Sequence, residues 1–385
     1  MWYMNEEREL MRNIAREFVE QEVKPQVMEI EKSGRFPLEL FKRAGELGFL
    51  GVTLPEEYGG LGGDHTTLAI ILEEIAKVMP VLTVAMGAHS LLSGGLINML
   101  GTPEQKKKYL LPAATGEMIL ACGSTEGVGG SNQVEYTTRA VADGDDWIIN
   151  GSKVLISNIG VADAYVLLTV TGEKVDPATR SGMSVFIVDK DTPGLEIGIA
   201  EHKLGWHGSA TGSISFKNCR VPQENLVGTL HGAMQAMFVS STDEFLSCGP
   251  VGLGIAEGAY EMALNYSLER IQGGQNMFDR FQVTRHKLVK MFTEIESLRA
   301  LVYSTYANRD KGDLCLAHGR MLKVKGAEVS EYVGREAIQL FGGVGTVVET
   351  GVERFWRDGK VLAIGGASVE ALNDHIAMMI RNKMV

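Results

Sequence analysis

The chain has 385 residues, 45% of them hydrophobic, with a formal net charge of −11. That length supports a large core split over two or three domains or layers. A surface this acidic has no general attraction for nucleic acid or anionic membrane, so any phosphate binding has to be local.

No run of 18 apolar residues appears, and no transmembrane helix is expected. The opening "MWYMNEERELMRNIAREF" is charged and amphipathic, without the basic region, apolar run and small-residue cleavage site of a secretory signal. Leu10, Ile14, Phe18 and Val23 keep a period near 3.6, which predicts helix within residues 4–50. Pro37 heads a further helix that Gly48 and Gly51 close. "LPEEYGGLGGDH" reads as a loop and "HTTLAIILEEIAKV" as an apolar helix. "LTVAMGAHSLLSGGLINML" is small and apolar throughout, which predicts a buried helix. Thr102 followed by Gln105 is a capping-box signal.

The character changes near residue 119. "RAVADGDDWIINGSKVLISN" alternates apolar and polar residues, and its Asp-Gly and Asn-Gly pairs are hairpin signals. "AYVLLTVTG", "GMSVFIVDK", "LEIGIAEHKLG" and "TGSISFKNCRVP" continue the β pattern. From residue 228 the pattern is helical to the end. The expected class is α+β, with a helical domain over 1–118, a β domain over 119–227 and a helical domain over 228–385. The four cysteines (Cys122, Cys219, Cys248 and Cys315) are scattered without a CxxC pair. They read as free thiols of a reducing, cytoplasmic setting and offer no metal-ligand spacing.

Several stretches carry chemistry. "GSTEGVGGSN" (123–132) is a glycine loop with hydroxyls at Ser124, Thr125 and Ser131; consecutive backbone N–H groups in such a loop cradle anions. "INGSKVLISN" (149–158), "LERIQGG", "FQ" at 281–282, "IQLFGGVGTVVETGVERFWRDGK" and "AIGGASVEAL" follow in order. Together, and in this order along the whole chain, they resemble the acyl-CoA dehydrogenase family. The resemblance implies an N-terminal helical domain, a middle β-barrel-like domain and a C-terminal four-helix bundle. It also implies FAD as cofactor, an acyl-CoA thioester as substrate, a homotetramer, and an electron-transfer flavoprotein as acceptor. By the same resemblance Thr125 and Ser157 contact the flavin, and Ser131 the cofactor or the CoA portion. Arg270 and Gln282 reach the FAD of a neighbouring subunit. Gln339, Gly342 and Gly343 receive its adenine and pyrophosphate end, and Ser368 lies near the phosphates.

The chain departs from the family pattern at Leu155, where a tryptophan is usual, at Asn132, where an acidic residue is usual, and at Gly273, where a phenylalanine is usual. A larger departure concerns the general base. Most relatives place a glutamate where Gly366 stands; a minority place it on a helix, at the position of Thr242 ahead of "GPVGL" (249–253). Neither position carries a carboxylate, while the resemblance implies that the Gly366 N–H still binds the thioester oxygen. Three readings remain open: a relocated base, with His89 and Asp243 as candidates (Asp243 and Glu244 both lie beside Thr242, but each step turns a helix by about 100°, so neither inherits its direction); an elimination that needs no α-base; and a subunit without turnover. Relatives that oxidise cyclohexene-carboxyl-CoA also lack the usual glutamate, and a relocated base therefore points to a cyclic or unsaturated acyl group.

Overall fold

The computed structural model describes residues 1–383 apart from 131, 132, 177, 178 and 180. Helix α1 (Glu6–Phe18) begins where the Asn5 side chain accepts the Arg8 N–H, and Glu6, Glu7 and Glu9 complement its N-terminal dipole. After α2 (Leu38–Glu46), the Asp64 side chain accepts the Thr67 N–H and starts α3 (His65–Ala76), nearly all of which is buried. Helix α4 (Pro80–Leu100) is long and apolar enough by composition to cross a membrane, yet 72% of its apolar window is buried inside the protein. It is a core helix. Thr102 and Gln105 form both bonds of the capping box that follows.

The β region contains β1 (Leu120–Gly123), β2 (Arg139–Asp143), β3 (Asp146–Ser157), β4 (Ala164–Val170), β5 (Met183–Asp189), β6 (Leu195–Ile197), β7 (Thr211–Pro222) and β8 (Leu226–Val227). They form one sheet in the order β6-β7-β3-β2-β4-β5-β8, and β1 runs parallel beside β4. The Asp143–Gly144 pair turns β2 into β3, with Gly144 at φ +65°. The Asn150–Gly151 pair is no turn. It lies inside β3, where the register against β7 slips between Ile149 and Gly151. Both pairs supply left-handed backbone, which serves a bulge as well as a hairpin.

The helical remainder starts with α5 (Ala233–Glu269), which continues through Pro250. A small hairpin, β9 (Ile271–Gln272) and β10 (Gln275–Asn276), leads to α6 (Gln282–Arg309), α7 (Leu316–Phe341), α8 (Glu353–Ile364) and α9 (Val369–Arg381). Helices α5 and α7 run parallel: Thr242 packs on Gly319, Gly249 on Leu322 and Gly252 on Gly326. A Cβ on Gly252 would lie 2.5 Å from the Gly326 carbonyl oxygen, so "GPVGL" supplies the bare backbone that this approach needs. At the far end of the same pair Tyr266 stacks on Phe341 with centroids 4.2 Å apart. The order of helices, β sheet and helices is the one expected from the sequence.

Candidate active site

A cavity of about 840 Å³ opens between the β sheet and the helices α5, α7 and α9. From the sheet side, Thr125, Leu155 and Ser157 reach it. A second register slip in β3, between Lys153 and Ile156, sets Leu155 at φ +56° and leaves it 63% exposed. A leucine in this conformation is unusual, and bulges of this kind re-aim side chains beside functional sites. The Thr125 and Ser157 hydroxyls have no protein partner among the described residues. Behind them a buried ion pair holds the loop: Lys153 Nζ lies 2.9 Å from Glu126 and donates to the Ser124 carbonyl at 3.0 Å, while Glu126 accepts the Thr137 and Thr138 N–H groups.

From the helical side, α5 presents Met234, Met237, Phe238, Ser241, Glu244 and Phe245, with Val239 at the margin. Their spacing of three and four is one face of a helix. Each residue turns the direction by about 100°, so Thr242 and Asp243 point elsewhere. Thr242 is buried against Gly319, and its hydroxyl donates to the Phe238 carbonyl at 2.9 Å. Glu244 points into the cavity. Burial pushes its carboxyl up to about 7, opposed by the positive charge of Lys323. Lys323, itself buried, donates to the Leu362 carbonyl at 2.6 Å and to the Gly365 carbonyl. One ammonium thereby fixes the turn after α8 and faces the carboxylate.

That turn carries Gly366, at φ +76°. A Cβ built on Gly366 would lie 2.9 Å from Glu244 Oε1. The carboxyl thus fills the space that a side chain at 366 would enter. The Gly366 N–H has no acceptor among the described residues.

The other sequence candidates for the base lie outside the cavity. His89 is buried in α4 with both ring nitrogens occupied, Nε2 by the Ala113 carbonyl and Nδ1 by the Leu120 N–H, each at 3.0 Å. Burial pushes its imidazole down to about 4. It ties α4 to β1 as a neutral ring, and cannot turn toward a ligand without leaving two backbone groups unpaired. Asp243 forms a two-point ion pair with Arg309 at 3.0 and 3.1 Å. Neither side chain lines the cavity, whereas Glu244 does. Measured against the direction of Thr242, Glu244 is set aside along with Asp243; measured against the cavity face of α5, with Met234, Phe238, Ser241 and Phe245, it is the carboxylate that faces the cavity.

Three family models match successive parts of the chain: the acyl-CoA dehydrogenase N-terminal domain over residues 5–117, the middle domain over 121–219 and the C-terminal domain over 243–380. The chain belongs to the acyl-CoA dehydrogenase family. It is 38% identical to a short-chain-specific acyl-CoA dehydrogenase of Clostridium acetobutylicum, over 96% of this chain and 97% of the relative. It is 34% identical to the CarC subunit of a caffeyl-CoA reductase–Etf complex from Acetobacterium woodii, over 94% of this chain and 95% of the relative. Among solved structures, butyryl-CoA dehydrogenase from Megasphaera elsdenii superposes with a TM-score of 0.93 at 30% identity, covering 98% of this chain and 99% of the other.

FAD is the cofactor of the acyl-CoA dehydrogenase family, and the cavity wall suits its flavin. Leu155 offers apolar surface, and the unpaired Thr125 and Ser157 hydroxyls offer hydrogen bonds. Along the preceding loop, a Cβ on Gly127 or Gly129 would meet nothing within 4 Å, so that backbone is open to approach. Ser131 lies outside the described residues. Ser368 caps α9, accepting the Ala371 N–H directly after the cavity turn. The remaining residues assigned to the cofactor are elsewhere. Arg270 ends α5, Gln282 opens α6, and Gln339, Gly342 and Gly343 end α7; all five are exposed at the end of the bundle remote from Glu244. Between Gly319, packed beside the cavity, and Gln339, α7 rises by about 30 Å. The Arg280 guanidinium fills the space over Gly273, where the family resemblance led to the expectation of a phenylalanine, and donates to the Gln272 carbonyl at 2.7 Å.

Proposed function

We propose that the enzyme desaturates an acyl-CoA thioester between the α- and β-carbons, with Glu244 as the base that takes the α-proton. The observation that carries this reading is the Glu244 carboxyl standing where a Gly366 side chain would project, beside the unpaired Gly366 N–H. That N–H is free to donate to the thioester oxygen as negative charge develops there, the interaction that matters most in enolate-like transition states. FAD, when bound against Leu155, Thr125 and Ser157, supplies the hydride acceptor for the β-carbon. A carboxyl held near 7 is poised both to accept the proton in oxidation and to return it in the reverse reduction. Relatives named as a dehydrogenase and as a reductase are compatible with one such site.

The expectation of a cyclic or unsaturated acyl group rested on an absent base. With Glu244 in the cavity, that ground is gone. Electron-transfer flavoprotein is the proposed electron acceptor, supported by the Etf complex in which one relative is named as a subunit. A homotetramer is the proposed assembly. Gln339, Gly342 and Gly343 stand about 30 Å along α7 from the end of that helix beside the cavity that Thr125 and Ser157 line, which supports a second copy completing each FAD site, and Ile271, Val283, Val344, Val347 and Val348 expose apolar surface at that remote end.

Single-turnover flavin bleaching with butyryl-CoA tests the base. The carboxyl has to be ionised to accept a proton, so the rate should fall as pH drops through about 7. Glu244→Gln should lose about 10²–10⁴ in rate together with that limb, while Asp243→Asn and His89→Gln keep it. A Glu244→Gln variant with wild-type bleaching would sink the assignment.

A further inference from the structure

Gly365, the neighbour of the glycine that faces Glu244, has its own reason to be bare. Its backbone sits at φ −62° and ψ 145°, which any residue adopts. A Cβ there would lie 3.0 Å from both Cη2 and Cζ3 of Trp206, so the far end of the indole takes the place of a side chain at 365. Trp206 itself holds φ +53°, an outlier for so bulky a residue. Its N–H donates to the Asp358 carboxylate at 2.6 Å, and Asp358 is buried in α8. The loop that carries Trp206, residues 203–209 between β6 and β7, presses on α8 at the same point. A Cβ on Gly205 would lie 2.7 Å from the Arg357 carbonyl oxygen, and the Arg357 guanidinium donates to the Leu204 carbonyl at 3.3 Å. Asp358 and Gly365 are seven residues apart, about two turns along one face of a helix. The loop therefore grips α8 first at Asp358 and again at the turn that carries Gly366.

That turn is strained. Across Gly366, at φ +76°, the Ala367 N–H donates to the Gly365 carbonyl at 3.0 Å. This is the i to i+2 bond of a γ-turn with positive φ, a rare form. Such strain persists only where the surroundings over-determine it. Lys323 holds the Leu362 and Gly365 carbonyls, and the indole backs the Gly365 α-carbon. For packing alone an indole is a costly choice, because its Nε1 is buried without a partner and a phenyl ring has no such donor to leave unpaired. What the indole supplies beyond a phenyl ring is reach.

Resting on the desaturation reading above, we propose that Trp206 is a positioning residue: it fixes the strained turn so that the Gly366 N–H stays aimed at the thioester oxygen and the α-carbon stays in front of Glu244. Trp206 is not among the residues lining the cavity; it acts through Gly365.

The FAD-loaded enzyme would be compared with Trp206→Phe, Gly365→Ala, the double variant, Leu204→Ala and Glu244→Gln in single-turnover bleaching by butyryl-CoA, with rates expressed per bound flavin. Trp206→Phe withdraws the ring from Gly365, and Gly365→Ala drives a methyl into it. Each should lower the limiting rate about 10–100-fold, with a smaller change in the butyryl-CoA concentration at half-saturation. The double variant should be faster than either single one, because the methyl fills part of the space that the shorter ring leaves. Leu204→Ala, which trims an exposed side chain of the same loop, should match wild type. A purely structural role predicts lower melting temperature and FAD content with a wild-type limiting rate per bound flavin, and losses that add in the double variant; either result would overturn the proposal. If Trp206→Phe does not retain FAD, Gly365→Ala decides, since the backbone at 365 accepts alanine. Wild-type rates in both single variants beside a slow Glu244→Gln would remove the positioning role and leave the desaturation reading standing. Glu244→Gln bleaching like wild type, or no bleaching of wild type, would remove both.

Discussion

At Gly366 two demands fall on one residue. The turn needs φ +76°, and Glu244 needs the volume above the α-carbon. Alanine there should cost about 1–2 kcal/mol for the left-handed backbone and push the carboxyl off its line, lowering single-turnover bleaching by roughly 100-fold. Thermal unfolding and stopped-flow reduction would measure the two effects separately. The pair also explains what was legible in the sequence. A glycine where relatives carry the base is visible as a missing side chain, but the residue filling its place belongs to another helix, more than a hundred positions earlier in the chain. Counting back from "GPVGL" lands on Thr242, whose direction is two residues, about 200°, away from that of Glu244. His89 looked chemically exposed to function because it stood alone in an apolar helix. Its partners are backbone groups of Ala113 and Leu120, which no side-chain pattern reveals.

At the scale of elements, Lys323 joins two jobs through one side chain. It ties α7 to the end of α8 by two carbonyls, and its charge holds the Glu244 carboxyl lower than burial alone would leave it. Lys323→Met should therefore destabilise the fold by about 3 kcal/mol and move the acid limb of flavin reduction to higher pH, because the ionised carboxyl loses its counter-charge. Calorimetry and a pH series of single turnovers would check the pair of effects. The elements themselves were largely readable: the capping box at Thr102, the Asp143–Gly144 hairpin and the long C-terminal helices all follow from local patterns. Local patterns failed where packing decided. Asn150–Gly151 became a bulge because β3 continues past it against β7. Arg320 and Lys323, basic residues that a charge pattern assigns to solvent, are buried because α7 lies in parallel against α5.

For the molecule as a whole, the separation of about 30 Å along α7 has a consequence for inheritance. If each cofactor is shared between copies, Glu244 and Gln339 of the same chain serve different sites. A defect in one need not be confined to the chain that carries it. Co-expressed Glu244→Gln and Gln339→Ala chains, each inactive as a pure population, should then form mixed assemblies in which one site inherits both intact halves. Activity recovered on mixing, and absent when the same two proteins are purified apart and kept apart, would show that sharing; equal silence in both preparations would argue for cofactor sites complete within one chain. On the shared arrangement two damaged copies of such a gene can complement each other within a single cell.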